Sequence, residues 1–174
     1  MNATEMLASM FIFKGVPKPA LVELCSLAPP VSFKPGVTIF NQGDTSDVAL
    51  LLIEGKLGVE VSSAGQHREV GQVNVGEIVG ETALFAREGK RSATVRALQT
   101  SQCLLINKEV LQNASKNEAL IAIERHLLAT LARRIRRTNQ ETAKLWKELG
   151  VGSPTGGTPS NGFASKLKKL FGGR

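Results

Sequence analysis

The hydrophobic pattern changes character along the chain. Residues 4–28 carry apolar positions in broken helical order, interrupted by Gly15, Pro17 and Pro19. Leu21, Leu24, Cys25 and Leu27 share one helix face, and Pro29 and Pro30 end it, because a residue before proline is pushed out of the helical region. From Val31 to Ile106 the texture becomes short β-branched and aliphatic runs: VSF, VTIF, VALLLI, LGVEV, REVGQV, ATVRAL and CLLI. Turn signals separate them at Pro35-Gly36, Gly43-Asp44, Glu54-Gly55-Lys56, Ser63-Ala64-Gly65, Gly76-Glu77 and Glu88-Gly89-Lys90. Short strands at such close spacing predict a mainly β sandwich, roll or barrel with flanking helices. The period-two alternation of Leu57-Gly58-Val59-Glu60-Val61 predicts one buried face.

Asn113 to Leu149 contains neither Gly nor Pro. Leu128, Leu131, Ile135, Thr138, Thr142, Leu145 and Leu149 recur there at alternating intervals of three and four. This heptad seam predicts a long helix that pairs with a second copy of the chain. Arg133, Arg134, Arg136 and Arg137 fall off the seam and read most simply as a solvated basic face. Residues 150–162 hold five Gly and two Pro, which predicts a flexible linker with a reach of roughly 20 Å. Beyond it, Phe163, Leu167, Leu170 and Phe171 share a helical face, with Lys166, Lys168 and Lys169 on the other side. The expected organisation is an N-terminal helical segment (1–30), a β-roll (31–112), a long helix serving as dimer contact and lid (113–149), a linker (150–162) and a basic amphipathic tail (163–174).

Composition narrows the classes. The chain has 174 residues, 42% of them hydrophobic and 21% charged, enough for one packed domain with appendages. No apolar run approaches the length of a membrane span, and no secretory signal is read at the N-terminus. Cys25 and Cys103 imply no disulfide framework, so a cytoplasmic location is expected. The net charge of +7 is unevenly placed: all fifteen acidic residues lie in 1–148, while 151–174 has Lys166, Lys168, Lys169 and Arg174 and no acid. That tail should be attracted to anionic surfaces or acidic partners. His67 and His126 lack a second ligand at metal spacing, so no metal is expected. No Ser-His-Asp or Cys-His arrangement and no acid/base carboxylate pair can be argued, so no enzymatic activity is expected.

The informative stretch is GEIVGETALFAREGKRSATVRA, Gly76 to Ala97. Gly80 lets the backbone approach a ligand closely. The helical turn that follows offers N–H groups to an anion. Arg91, ten residues after Glu81, can bring a permanently charged fork to a phosphate. The Glu81 carboxylate suits a hydroxyl rather than a phosphate. Phosphate and hydroxyl on one ligand describe a nucleotide. The bland alternative is a structural salt bridge between Glu81 and Arg91.

This segment resembles the phosphate-binding cassette of the cyclic-nucleotide-binding family, in the manner of the sensor domain of the bacterial catabolite activator protein. The family pattern is Gly-Glu, a small and an aliphatic residue, then Arg-(Ser/Thr/Ala)-Ala-(Thr/Ser). Here these are Gly80-Glu81, Ala83-Leu84 and Arg91-Ser92-Ala93-Thr94. FKPGVTIFNQGD (Phe33 to Asp44) and LLLIEGKLGVEV are similar to the family's first strands and next hairpin, and the likeness covers about residues 7–149. The resemblance implies a jelly-roll-like β-roll, also described as a double-stranded β-helix, with N-terminal helices and a long C-terminal helix. It implies that Glu81 holds the ribose 2′-hydroxyl and that Arg91 pairs with the cyclic phosphate. Ser92 would contact phosphate or purine, and the amides near Thr82 and Ala83 would complete the cradle. TLARRIRRTN resembles the activator's dimer helix, which implies purine contacts at Thr138 and Asn139, with Val70 a further candidate against the base.

Two positions depart from the pattern. Thr82 stands where an aliphatic residue is usual, and Asn139 stands where the activator has serine, so base preference does not carry over. The expectation is a non-catalytic cAMP receptor, cGMP being the less favoured ligand. It would signal by helix movement, form a homodimer through 128–149, and dock through 163–171 to a protein partner or an anionic membrane. The 25 residues after Leu149 leave no room for a helix-turn-helix, so sequence-specific DNA binding is not expected. The alternative is a scaffold or adaptor with a vestigial pocket that acts through its tail.

Overall fold

The computed structural model describes residues 2–63, 65–85, 89–113 and 116–148; the expected linker and amphipathic tail lie outside the described residues. The chain divides into two compact units, Met1–Ala129 and Thr130–Arg174.

The first unit opens with α1 (Ala3–Ser9), a 3-10 turn (Phe11–Phe13) and α2 (Lys18–Leu27). α1 starts at a capping box: the Asn2 side chain accepts the Glu5 N–H at 2.8 Å, and the Glu5 carboxylate accepts the Asn2 N–H at 3.1 Å. Proline in the first turn of α2 removes a donor that would have had no helical partner. Eight strands follow: β1 (Pro30–Phe33), β2 (Thr38–Phe40), β3 (Val48–Glu54), β4 (Leu57–Ser63), β5 (Gln66–Val73), β6 (Ile78–Val79), β7 (Thr94–Ala97) and β8 (Ser101–Asn107). The short helix α3 (Glu81–Phe85) lies between β6 and β7, and α4 (Lys108–Gln112) and α5 (Glu118–Glu148) follow β8. The strands form two antiparallel sheets, ordered β1-β8-β3-β6 and β2-β7-β4-β5. This is the β-roll with flanking helices that the family resemblance implies, one of the three arrangements the hydrophobic pattern leaves open.

Strand β3 shows why the sheets stack. Its run VALLLI does not alternate apolar with polar, because both faces are covered. Ala49, Leu51 and Ile53 join Leu104 and Ile106 of β8 in a core with Leu7 of α1, Leu21 and Leu24 of α2, Val110 of α4 and Leu120, Ile123 and Leu127 of α5. Leu50 and Leu52, with Cys103, face Leu57, Val73, Val95 and Ala97 of the second sheet. Burial pushes the Cys103 thiol up to about 12. All six sequence turn signals carry a glycine at positive φ.

Three details differ from the expected pattern. β6 is only two residues long and was not anticipated. The Leu57–Val61 alternation is blurred: Gly58 is buried against the Leu98 side chain, which a Cβ there would meet at 3.0 Å. The long helix begins at Glu118 rather than Asn113. Asn117, buried at 2% exposure, stops the chain at that point. Its side-chain oxygen accepts the N–H groups of Ala119 and Leu120 at 2.8 and 3.2 Å. Its amide donates to the Ala20 carbonyl and to Glu23 at 3.1 and 2.8 Å, which ties the helix start to α2.

The second unit holds α5 from Thr130 onward. Ile135 and Leu145 of the heptad seam are exposed, and Arg137 donates from Nε to Glu141 at 2.8 Å one helical turn away. Among the described residues no helix is long and apolar enough to cross a membrane.

Candidate functional site

Two loops build the cassette. The Gly43 N–H donates to the Arg91 carbonyl at 2.9 Å, and the Arg91 N–H donates to the Asp44 carbonyl at 2.8 Å. The Ser46 N–H donates to Gly89 at 3.0 Å, and Thr45 bridges Lys90. Gln42 fastens the same loop to the second sheet. Its backbone N–H donates to the Thr94 hydroxyl at 3.1 Å, and its side chain exchanges two hydrogen bonds with the Ser62 backbone. Asp44 and Arg91, distant in sequence, are thereby held together in neighbouring loops.

Arg91 is 4% exposed, an exceptional burial for a permanent cation. Its Nη1 donates to the Gly80 carbonyl at 3.0 Å. Its Nη2 donates to the Ser46 hydroxyl at 2.7 Å and to the Val48 carbonyl. The guanidinium lies over the Phe40 ring, 3.5 Å from its centroid. Burial lowers the Arg91 pKa from its ordinary value, and the charges of Asp47 and Glu81 oppose that shift. The Nε atom is buried and meets no hydrogen-bond acceptor among the described residues. A buried cation with an unused donor is what an incoming anion completes.

Glu81, at 1% exposure, opens α3, and Ala83 and Leu84 bury the helix on the fold. Gly80 lies directly against the Arg91 guanidinium. At φ +81° it is in the left-handed region, and a Cβ there would meet Arg91 Nη1 at 2.5 Å and the Phe40 ring at 2.9 Å. Glycine is therefore required for both backbone conformation and space.

Arg91 reaches the Gly80 carbonyl, and Glu81 and Ala83 follow Gly80 in the buried turn of α3. The Ala83 N–H donates to the Gly80 carbonyl at 3.2 Å, so it already has a partner in this structure. Thr82 and Ser92 are exposed beside the buried pair. Val70 is 57% exposed on β5, as the extra residue of the bulge opposite Val59 and Glu60. Thr138 and Asn139 are exposed on the second unit. Phe40, Ser46 and the Val48 carbonyl escaped the sequence reading. A carbonyl acceptor has no sequence signature, and Phe40 reads as an ordinary strand residue. Among the described residues no group of three or more His, Cys, Asp or Glu is placed to hold a metal ion.

Comparison with known proteins gives the same outline. Residues 30–118 match the family model of the cyclic nucleotide-binding domain. The chain is 30% identical over 148 residues to the CRP-like cAMP-activated global transcriptional regulator of Mycobacterium tuberculosis, covering 81% of this chain and 62% of that protein. It thus spans about three fifths of the regulator's length. It is 36% identical over 86 residues to a cGMP-dependent protein kinase of Toxoplasma gondii, covering 49% of this chain and 8% of the kinase. The crystal structure of the Thermus thermophilus catabolite activator protein superposes with a TM-score of 0.66 at 28% identity, over 77% of this chain and 62% of that one. With the cassette geometry, the two stacked sheets and the family match in agreement, the chain belongs to the cyclic nucleotide-binding domain family.

Proposed function

We propose that this chain is a non-catalytic cyclic nucleotide receptor that prefers cAMP to cGMP. The observation that carries the reading is the buried pair: the Arg91 guanidinium packed against Gly80 and the side chain of the next residue, Glu81, both nearly without solvent. Arg91 takes the cyclic phosphate and Glu81 the ribose 2′-hydroxyl, with Gly80, Thr82, Ala83 and Ser92 around them. Val70, Thr138 and Asn139 are assigned to the base. The cAMP preference is supported by the likeness to the cAMP-activated regulator of M. tuberculosis, and the likeness to a cGMP-dependent protein kinase supports cGMP as the competitor.

Ligand binding signals through α5. A nucleotide shifts the helix only by the difference between its affinities for two helix positions. The protein is a cytoplasmic homodimer through residues 128–149, supported by the exposed Leu128, Ile135 and Leu145 at seam positions. Its tail, 163–171, carries the output to a protein partner or an anionic membrane. Calorimetric titration of the full chain tests the receptor reading: cAMP binds more tightly than cGMP. Absence of heat and of any thermal shift with either at millimolar ligand sinks it and leaves the scaffold with a vestigial pocket.

A further inference from the structure

We infer that Phe40 and Ser46 are positioning residues that aim Arg91 at the ligand, with the wholly unpartnered Nε–H, beside the second Nη1–H, as its phosphate donor. The inference rests on the receptor reading and specifies how that site grips its anion.

A guanidinium has five N–H donors in a rigid plane. Three have acceptors here: one Nη1–H on Gly80, and both Nη2–H on Ser46 and Val48. Nη2 is therefore saturated and Nη1 is half used. Nε is buried and has no acceptor among the described residues. Leaving such a donor unmet is unfavourable, and a phosphate oxygen relieves it with a charge-assisted bond.

The acceptors also fix orientation. Gly80, Ser46 and Val48 hold the far edge of the plane at separate points. Phe40 covers one of its faces, so the group cannot swing out of plane without losing ring contact. Of these contacts, two come from backbone carbonyls, which any sequence supplies. The Ser46 hydroxyl and the Phe40 ring are the parts this particular sequence contributes. A guanidinium already held in place loses little rotamer freedom on binding, and preorganisation of that kind appears as affinity.

The test combines nuclear magnetic resonance with calorimetry, using cAMP and the full chain. The Arg91 Nε–H resonance, assigned by its loss in R91K, is expected to exchange slowly with water and to move downfield on saturation with cAMP. S46A and F40L each weaken cAMP binding roughly three- to tenfold. In the R91K background the same substitutions change affinity by less than about twofold, because a lysine has no plane to aim. A purely structural role would weaken both backgrounds equally. An unmoved Nε–H signal at saturation, an unchanged affinity in S46A and F40L, or equal losses in both backgrounds overturns the inference while the receptor reading stands. Failure of the unmutated chain to bind overturns both.

Discussion

The two units of this chain handle charge in opposite ways. Residues 1–129 hold twelve basic and thirteen acidic side chains, while residues 130–174 hold ten basic and only two acidic ones. The first unit is close to neutral, yet it buries a cation and an anion at 4% and 1% exposure. The second carries the chain's whole positive surplus, and its described basic side chains are exposed. A buried charge is costly unless it is paired, so its presence points to a fixed chemical task. Exposed charges cost little, are screened by salt, and suit attraction to an extended anionic surface. Under the proposed function, ligand reading falls to the unit that buries its charges and surface attraction to the unit that exposes them.

The sharpest way to break this contrast is to reverse one charge in each unit. R91E should weaken cAMP binding by at least about a hundredfold, because a buried phosphate would then face a carboxylate. R137E, on the exposed face of α5, should leave cAMP affinity and melting temperature unchanged, since Arg137 pairs with its neighbour Glu141 at the exposed surface. Calorimetry and thermal melts on both variants decide the matter; equal effects would remove the distinction.

A smaller effect is expected from glycines. G80A should destabilise the fold by about 3 kcal/mol and displace the guanidinium, because the new methyl collides with Arg91 and Phe40. G65A, at similar positive φ with nothing within 4 Å, should cost about 1 kcal/mol and leave binding intact. Denaturant melts with cAMP titrations measure both.

Salt sharpens the comparison further. Raising ionic strength from about 0.05 to 0.5 M should release the full chain from anionic liposomes while changing cAMP affinity by less than about threefold. Co-sedimentation of the full chain beside a version ending at Gly150 shows whether the tail is responsible. Equal salt sensitivity of both binding events would mean the cassette is not shielded.

Much of the fold was legible because its signals are local. Each turn glycine sits where a left-handed backbone is needed, and the run VALLLI marks a strand, whose burial on both faces emerges only from the packing. The misses have physical causes. β6 is too short to show a period. The break before α5 depends on Asn117 reaching Ala20, 97 positions earlier in the chain, a contact no window of sequence contains. At the site, Gly80, Glu81 and Arg91 were visible because Gly80-Glu81, Ala83-Leu84 and Arg91-Ser92-Ala93-Thr94 together resemble the family's cassette pattern. Phe40, Ser46 and Val48 were not, since their role follows from how the β3 loop closes on Arg91 rather than from residue type.

The account is tested most directly by a crystal structure of the full chain grown with cAMP. It predicts a phosphate oxygen about 2.7–3.0 Å from Arg91 Nε and the ribose 2′-hydroxyl donating to the Glu81 carboxylate. Nucleotide bound elsewhere, or seated in the cassette with its phosphate turned away from Arg91, would contradict it.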